Sequence, residues 1–132
     1  MPNLSLETTT GERVCQEILD LDGTIILATV GTLEGKELGS ATKPSAALLI
    51  DKDLQLRANY GALVAVVIRA FKKGEHSLGK VNRIVTTFQN LKCIVLPNYS
   101  RGIFVLVLTT RDTEENRIAF QASQCVERFF RT

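Results

Sequence analysis

The 132-residue chain has no tryptophan, a single histidine, a single methionine and only three prolines. Two tyrosines and six phenylalanines are its whole aromatic complement, which leaves little with which to stack the bases of single-stranded nucleic acid. His76 is the only imidazole, so a zinc centre would need all three cysteines to converge on it. Those cysteines, Cys15, Cys93 and Cys125, are odd in number, far apart and without a CxxC pair. The pattern suits reduced, buried thiols in a cytoplasmic protein and not a disulfide framework. Charge of one sign is also scarce. Sixteen basic against fourteen acidic residues leave +2, no general attraction to nucleic acid or to an anionic membrane. No apolar run approaches the ~18 residues a membrane span requires; the longest covers residues 62–68. Residues 1–10 carry no basic stretch followed by an apolar one, so no secretory signal is expected. The expectation is a protein with no metal, no cofactor, and no nucleic-acid or membrane partner.

What is present is ordinary globular material, 45% hydrophobic and 23% charged. A chain of this length buries roughly two-thirds of the surface its unfolded form exposes, enough for a core without staples. Residues 1–11, closing with Thr8-Thr9-Thr10-Gly11, read as a flexible lead-in to one domain over residues 12–132. Val14, Ile18 and Leu21, with Cys15 and Leu19 beside them, predict a short amphipathic helix over 12–21. Residues 24–30 and 36–42 flank a glycine-bearing turn and predict a β-hairpin. In residues 51–73, Leu56, Tyr60, Leu63, Val64, Val67 and Phe71 share one helical face, with Asp51 or Asp53 as a cap. Gly61 and the β-branched residues of 64–68 lower the helix propensity, but the stretch is too long for a strand. Residues 74–79 read as a loop. Strands at 81–88, 92–96 and 103–109 follow at hairpin spacing, hence antiparallel. Asp112 with Glu115 three residues later resembles a capping box, opening a last helix lined by Ile118, Ala122, Cys125 and Phe129.

The order is α-β-β-α-β-β-β-α, an α+β fold. The fifth strand, Ile103 onward, is apolar at every position, as a strand covered on both faces should be. The second and third carry Lys, Glu, Ser, Asn, Arg and Thr, as edges do. The expected sheet is five-stranded and antiparallel in order 2-1-5-4-3, with helices on both faces. An open third strand invites association unless it is covered or paired, and a two-fold partner would pair it. A homodimer interface is therefore expected from Leu63, Val67 and Phe71 of the middle helix with Val81, Arg83, Val85 and Thr87 of the edge strand. Charge at Val67 or Val85 is expected to break it.

This succession resembles the roadblock (dynein light-chain-like) family and, more loosely, the profilin-like folds. The resemblance runs from Glu12 to Phe130 and rests on the hairpin, the long middle helix, the three-strand meander and the closing helix. Cys15-Gln16-Glu17-Ile18-Leu19-Asp20-Leu21-Asp22, with Gly35-Lys36 and Ser77-Leu78-Gly79-Lys80-Val81, is also similar to uncharacterised small archaeal proteins. The resemblance implies homodimers or heterodimers built through the middle helix and third strand. It further implies a non-enzymatic regulatory or scaffolding role, often as a platform for a small GTPase. The short first helix departs from that pattern.

Three motifs suggest chemistry. Asp20-Leu21-Asp22-Gly23-Thr24 matches the DxDGT signature of haloacid-dehalogenase-type phosphatases, in which the first carboxylate attacks phosphorus beside a magnesium ion. That signature belongs at the end of a buried strand, whereas the residues before it have helical spacing, and no later acidic pair follows. Gly31-Thr32-Leu33-Glu34-Gly35-Lys36 has three residues between its glycines where a phosphate loop has four. The bases Arg69, Lys72, Lys73, Lys80 and Arg83 cluster near the end of the middle helix, the usual place for a solvated cluster opposing the helix dipole. Two further readings remain beside the interaction module. One is a small-ligand sensory domain; the other is a magnesium-dependent phosphotransferase using Asp20 and Asp22.

Overall fold

In the computed structural model, which describes residues 4–44 and 54–130, helix α1 (Leu4–Leu19) leads into β1 (Ile25–Thr32) and β2 (Glu37–Thr42). Helix α2 (Leu54–Ala70) and two short helical turns (Lys72–Gly74 and Glu75–Leu78) then precede β3 (Ile84–Thr87), β4 (Leu91–Asn98) and β5 (Ile103–Thr110). Helix α3 (Glu115–Phe130) ends the described chain. The sheet is antiparallel throughout, in order β2-β1-β5-β4-β3, as the strand character predicts. β5 takes the centre because all of its first seven residues are buried.

Its alternating side chains build two cores. Val105 and Val107 face α1 and α3, joining Val14, Ile18, Ile118, Ala122 and Cys125. Phe104, Leu106 and Leu108 face the other way, joining Val64 of α2 with Cys93 and Val95 of β4. A period of two along one strand thus feeds both layers.

Several boundaries differ from the sequence reading. α1 starts at Leu4, not Glu12, so Gly11 lies inside the helix. It is there for packing: a Cβ on Gly11 would sit 2.9 Å from the Leu38 carbonyl oxygen, and one on Gly39 would sit 2.5 Å from Gly11 and Glu12 backbone atoms. The helix crosses β2 at a glycine–glycine contact, and tertiary packing overrides the poor helix propensity of Thr8-Thr9-Thr10-Gly11. β4 runs two residues past the expected end and takes in Pro97, paired with Phe104. β3 reaches only as far as Val95, so beyond it β4 is itself an edge, where proline is tolerated. β3 is correspondingly short, with Val81 and Arg83 outside it. Residues 74–79 are not a plain loop but include the turn Glu75–Leu78. The Asp112 carboxylate accepts a bond from the Thr110 hydroxyl (2.7 Å), and α3 begins three residues later. The expected caps Asp51 and Asp53, and the side chains of Leu56 and Tyr60, lie outside the described residues.

Candidate interaction surface

The phosphate-loop lookalike is a packing device. Gly31 leaves room for the Phe104 ring, which would come within 2.7 Å of a Cβ there. Gly35 turns the hairpin with φ of +98° and lies against α2, where a Cβ on Gly61 would be 2.7 Å from the Gly35 carbonyl. The glycine that lowers the propensity of α2 is thus the one that lets the hairpin turn dock on it.

The DxDGT residues also have a structural account. Asp20 is exposed beside Gln16 at the end of α1. Asp22 Oδ1 accepts the backbone N–H and hydroxyl of Thr24 (2.9 and 2.8 Å), and its Oδ2 meets Arg117 of α3 at 2.8 Å. Thr24 Oγ1 lies 2.6 Å from Thr113 Oγ1. The cluster ties the α1–β1 turn to the start of α3. Among the described residues no group of three or more His, Cys, Asp or Glu side chains could hold a metal.

The two hydrogen bonds from Thr24, with Arg117 adding to them, hold the Asp22 carboxyl below the usual carboxylate range. A depressed folded pKa contributes stability in full above the unfolded value of about 3.9 and loses it as pH falls through the folded value. Asp22→Ala should therefore cost about 2 kcal/mol at neutral pH, the scale of charged hydrogen bonds. Its deficit should narrow below pH ~4 in urea titrations.

The cysteines are buried and reduced. Burial pushes the Cys15 thiol up to about 12 and raises Cys125 as well, so both are held as neutral, unreactive thiols.

The residues expected at the interface are divided by the fold. On α2, Val64, Ala65 and the half-buried Ile68 face the sheet, while Leu63 (45% exposed), Val66 (56%) and Ala70 follow one another down the outer face. Val67 is half-buried at the margin of that stripe, and Phe71 (52%) stands just beyond it. Val85 pairs with Ile94 and Thr87 with Lys92. Since Ile94 belongs to the core under α1 and α3, Val85 and Thr87 point to the face opposite α2. Arg83 is on that same side, bonded to Asn116 (2.7 Å) and 3.8 Å from Glu115. Val81 is half-buried, its carbonyl taken by the Tyr99 hydroxyl. The seven residues therefore do not form one patch. Leu63, Val67 and Phe71 share the α2 side, while Arg83, Val85 and Thr87 share the other face of the sheet. Val66 was missed, although its spacing of three from Leu63 places it on the same stripe. Phe88 and, on α3, Phe120 are also exposed. Phe120 stands between surface hollows of about 560 and 210 Å³.

No protein-family model matches the chain, and no curated protein matches it. Solved structures do. A roadblock/LC7 domain from Streptomyces avermitilis superposes with a TM-score of 0.68 at 12% identity, over 89% of this chain and 92% of that one. The gliding protein MglB from Thermus thermophilus gives 0.69 at 13% identity, over 98% and 92%. An MglB with a tetrameric arrangement gives 0.73 at 12% identity, over 99% and 90%. This chain has the roadblock/LC7 fold. Identities this low establish the architecture and leave the partner to the chemistry of this chain's own surface.

Proposed function

We propose that this protein is a non-enzymatic regulatory module that acts as a homodimer and presents a composite surface to a small GTPase. The observation that carries the reading is the apolar outer stripe of α2, Leu63 with Val66 and Ala70, in a chain whose sheet also ends in the open edge strand β3. An apolar helix face that the chain's own core does not cover favours a second protein surface. A two-fold axis would set two such stripes together and let two four-residue edges pair. The solved roadblock neighbours support the architecture, and one is described by its tetrameric arrangement. A role for Asp20 and Asp22 in phosphoryl transfer is disfavoured because Asp22 is engaged on both oxygens.

The GTPase step is tested by co-elution of the purified protein with small Ras-like GTPases of its source organism. Each would be loaded in turn with GDP or a non-hydrolysable GTP analogue. Co-elution with at least one, in one nucleotide state, is expected. Failure with all of them would remove the platform role and leave the dimer standing.

A further inference from the structure

Beyond the end of α2 the chain makes a small projection. Residues 69–80 contain four bases, Arg69, Lys72, Lys73 and Lys80, and one acid, Glu75. Its two helical turns contain no buried residue. Leu78, the last residue of the second turn, is 76% exposed. The projection is fixed to the body from one side, where Lys80 Nζ lies 4.8 Å from the centre of the Tyr99 ring and the Tyr99 hydroxyl bonds Val81. Elsewhere bases find carboxylates: Arg83 and Lys92 meet Glu115, Arg101 meets Glu127, and Arg117 meets Asp22. Among the described residues, no ion pair engages Arg69, Lys72 or Lys73. The chain's net +2 conceals this local excess.

We propose that this projection is a docking site for an anionic membrane surface. Lys72, Lys73 and Arg69 would supply the attraction, and Leu78 would enter the headgroup boundary. Charge complementarity selects an acidic occupant, and two features favour lipid over an acidic protein. Lysine predominates over arginine, and lysine is depleted in protein interfaces, whose anchors are aromatic and arginine side chains. The site also sets its bases beside a bare aliphatic side chain, the combination with which amphipathic segments enter the headgroup boundary. Juxtaposed bases of this kind hold peripheral proteins to anionic leaflets in a salt-dependent way. Phe71 belongs to the α2 side assigned above to the dimer, so the site does not depend on it. In a dimer two such sites would act together and strengthen attachment.

The test is co-sedimentation of the intact protein with phosphatidylcholine vesicles, with and without phosphatidylserine. Binding is expected only to the anionic vesicles, weakening as salt rises. The bound fraction should fall about tenfold or more in Lys72→Glu/Lys73→Glu, whose two charge reversals change the cluster by four charges. Leu78→Ser should weaken binding at constant charge. Circular dichroism should be unchanged in both variants, because none of the three residues is buried. Absence of binding to anionic vesicles at low salt would overturn the proposal, as would equal binding to neutral vesicles or binding indifferent to the lysine reversals. Capture on an acidic polypeptide column without vesicle binding would also overturn it, and would reassign the site to an acidic protein.

Discussion

Replacing Gly39 with alanine is expected to destabilise the fold by about 3 kcal/mol, the upper end of what overpacking usually costs. The added Cβ would stand 2.5 Å from backbone atoms of Gly11 and Glu12. Neither can rotate aside as a flexible side chain would. α1 would have to lift from β2, and Val14 and Ile18, both fully buried, would lose part of their contact with the core. For a domain of this size such a loss lowers the melting temperature by roughly 10 °C. Gly23→Ala is the matched control. Nothing lies within 4 Å of a Cβ there and its φ is not positive, so its melting temperature should stay within a degree or two of the parent or rise slightly. Thermal unfolding of the two variants side by side decides the point. Equal stability would mean that α1 does not cross β2 at this contact.

That contact also marks a feature the local sequence does not encode. The strand order was legible because burial leaves a compositional trace. Ile103 to Leu108 is apolar at successive positions only because both faces are covered, and the mixed polarity of β2 and β3 marks them as edges. The start of α1 was not legible. Thr8-Thr9-Thr10-Gly11 has the local chemistry of a loop, and the reason it is helical lies twenty-eight positions from Gly11, at Gly39. Asp112 misled for the opposite reason. Its spacing from Glu115 fits a cap, but the nearer hydroxyl of Thr110 takes the carboxylate. For the candidate interface the sequence carries the apolar character of α2 on more than one side, and Leu63 and Phe71 are exposed. Which way Val85 points depends on the β3–β4 register, and a one-residue difference in register sends a side chain to the other face.

Leu63→Asp is expected to convert the proposed dimer to monomer with little loss of monomer stability. Leu63 is 45% exposed in the single chain, so an aspartate there stays hydrated as long as the helix is unpaired. In a two-fold interface the substitution occurs twice, and each copy places an unpaired carboxylate where an aliphatic side chain was covered. A penalty of about 3 kcal/mol in total weakens association roughly a hundredfold. Val66→Asp should behave alike. Val85→Asp, on the opposite face of the sheet, should have a smaller effect than the sequence alone led us to expect. Sedimentation equilibrium across the three variants, with circular dichroism as the fold control, reads the ranking. If Val85→Asp were the most disruptive, the contact would lie on the α3 side.

The most direct measurement is the solution mass of the unmodified protein, by light scattering on a gel-filtration column over a range of loading concentrations. Pairing through α2 predicts a mass twice the 14.6 kDa of one chain, falling towards the single-chain value only at the lowest loadings. A single-chain mass at every concentration would contradict it.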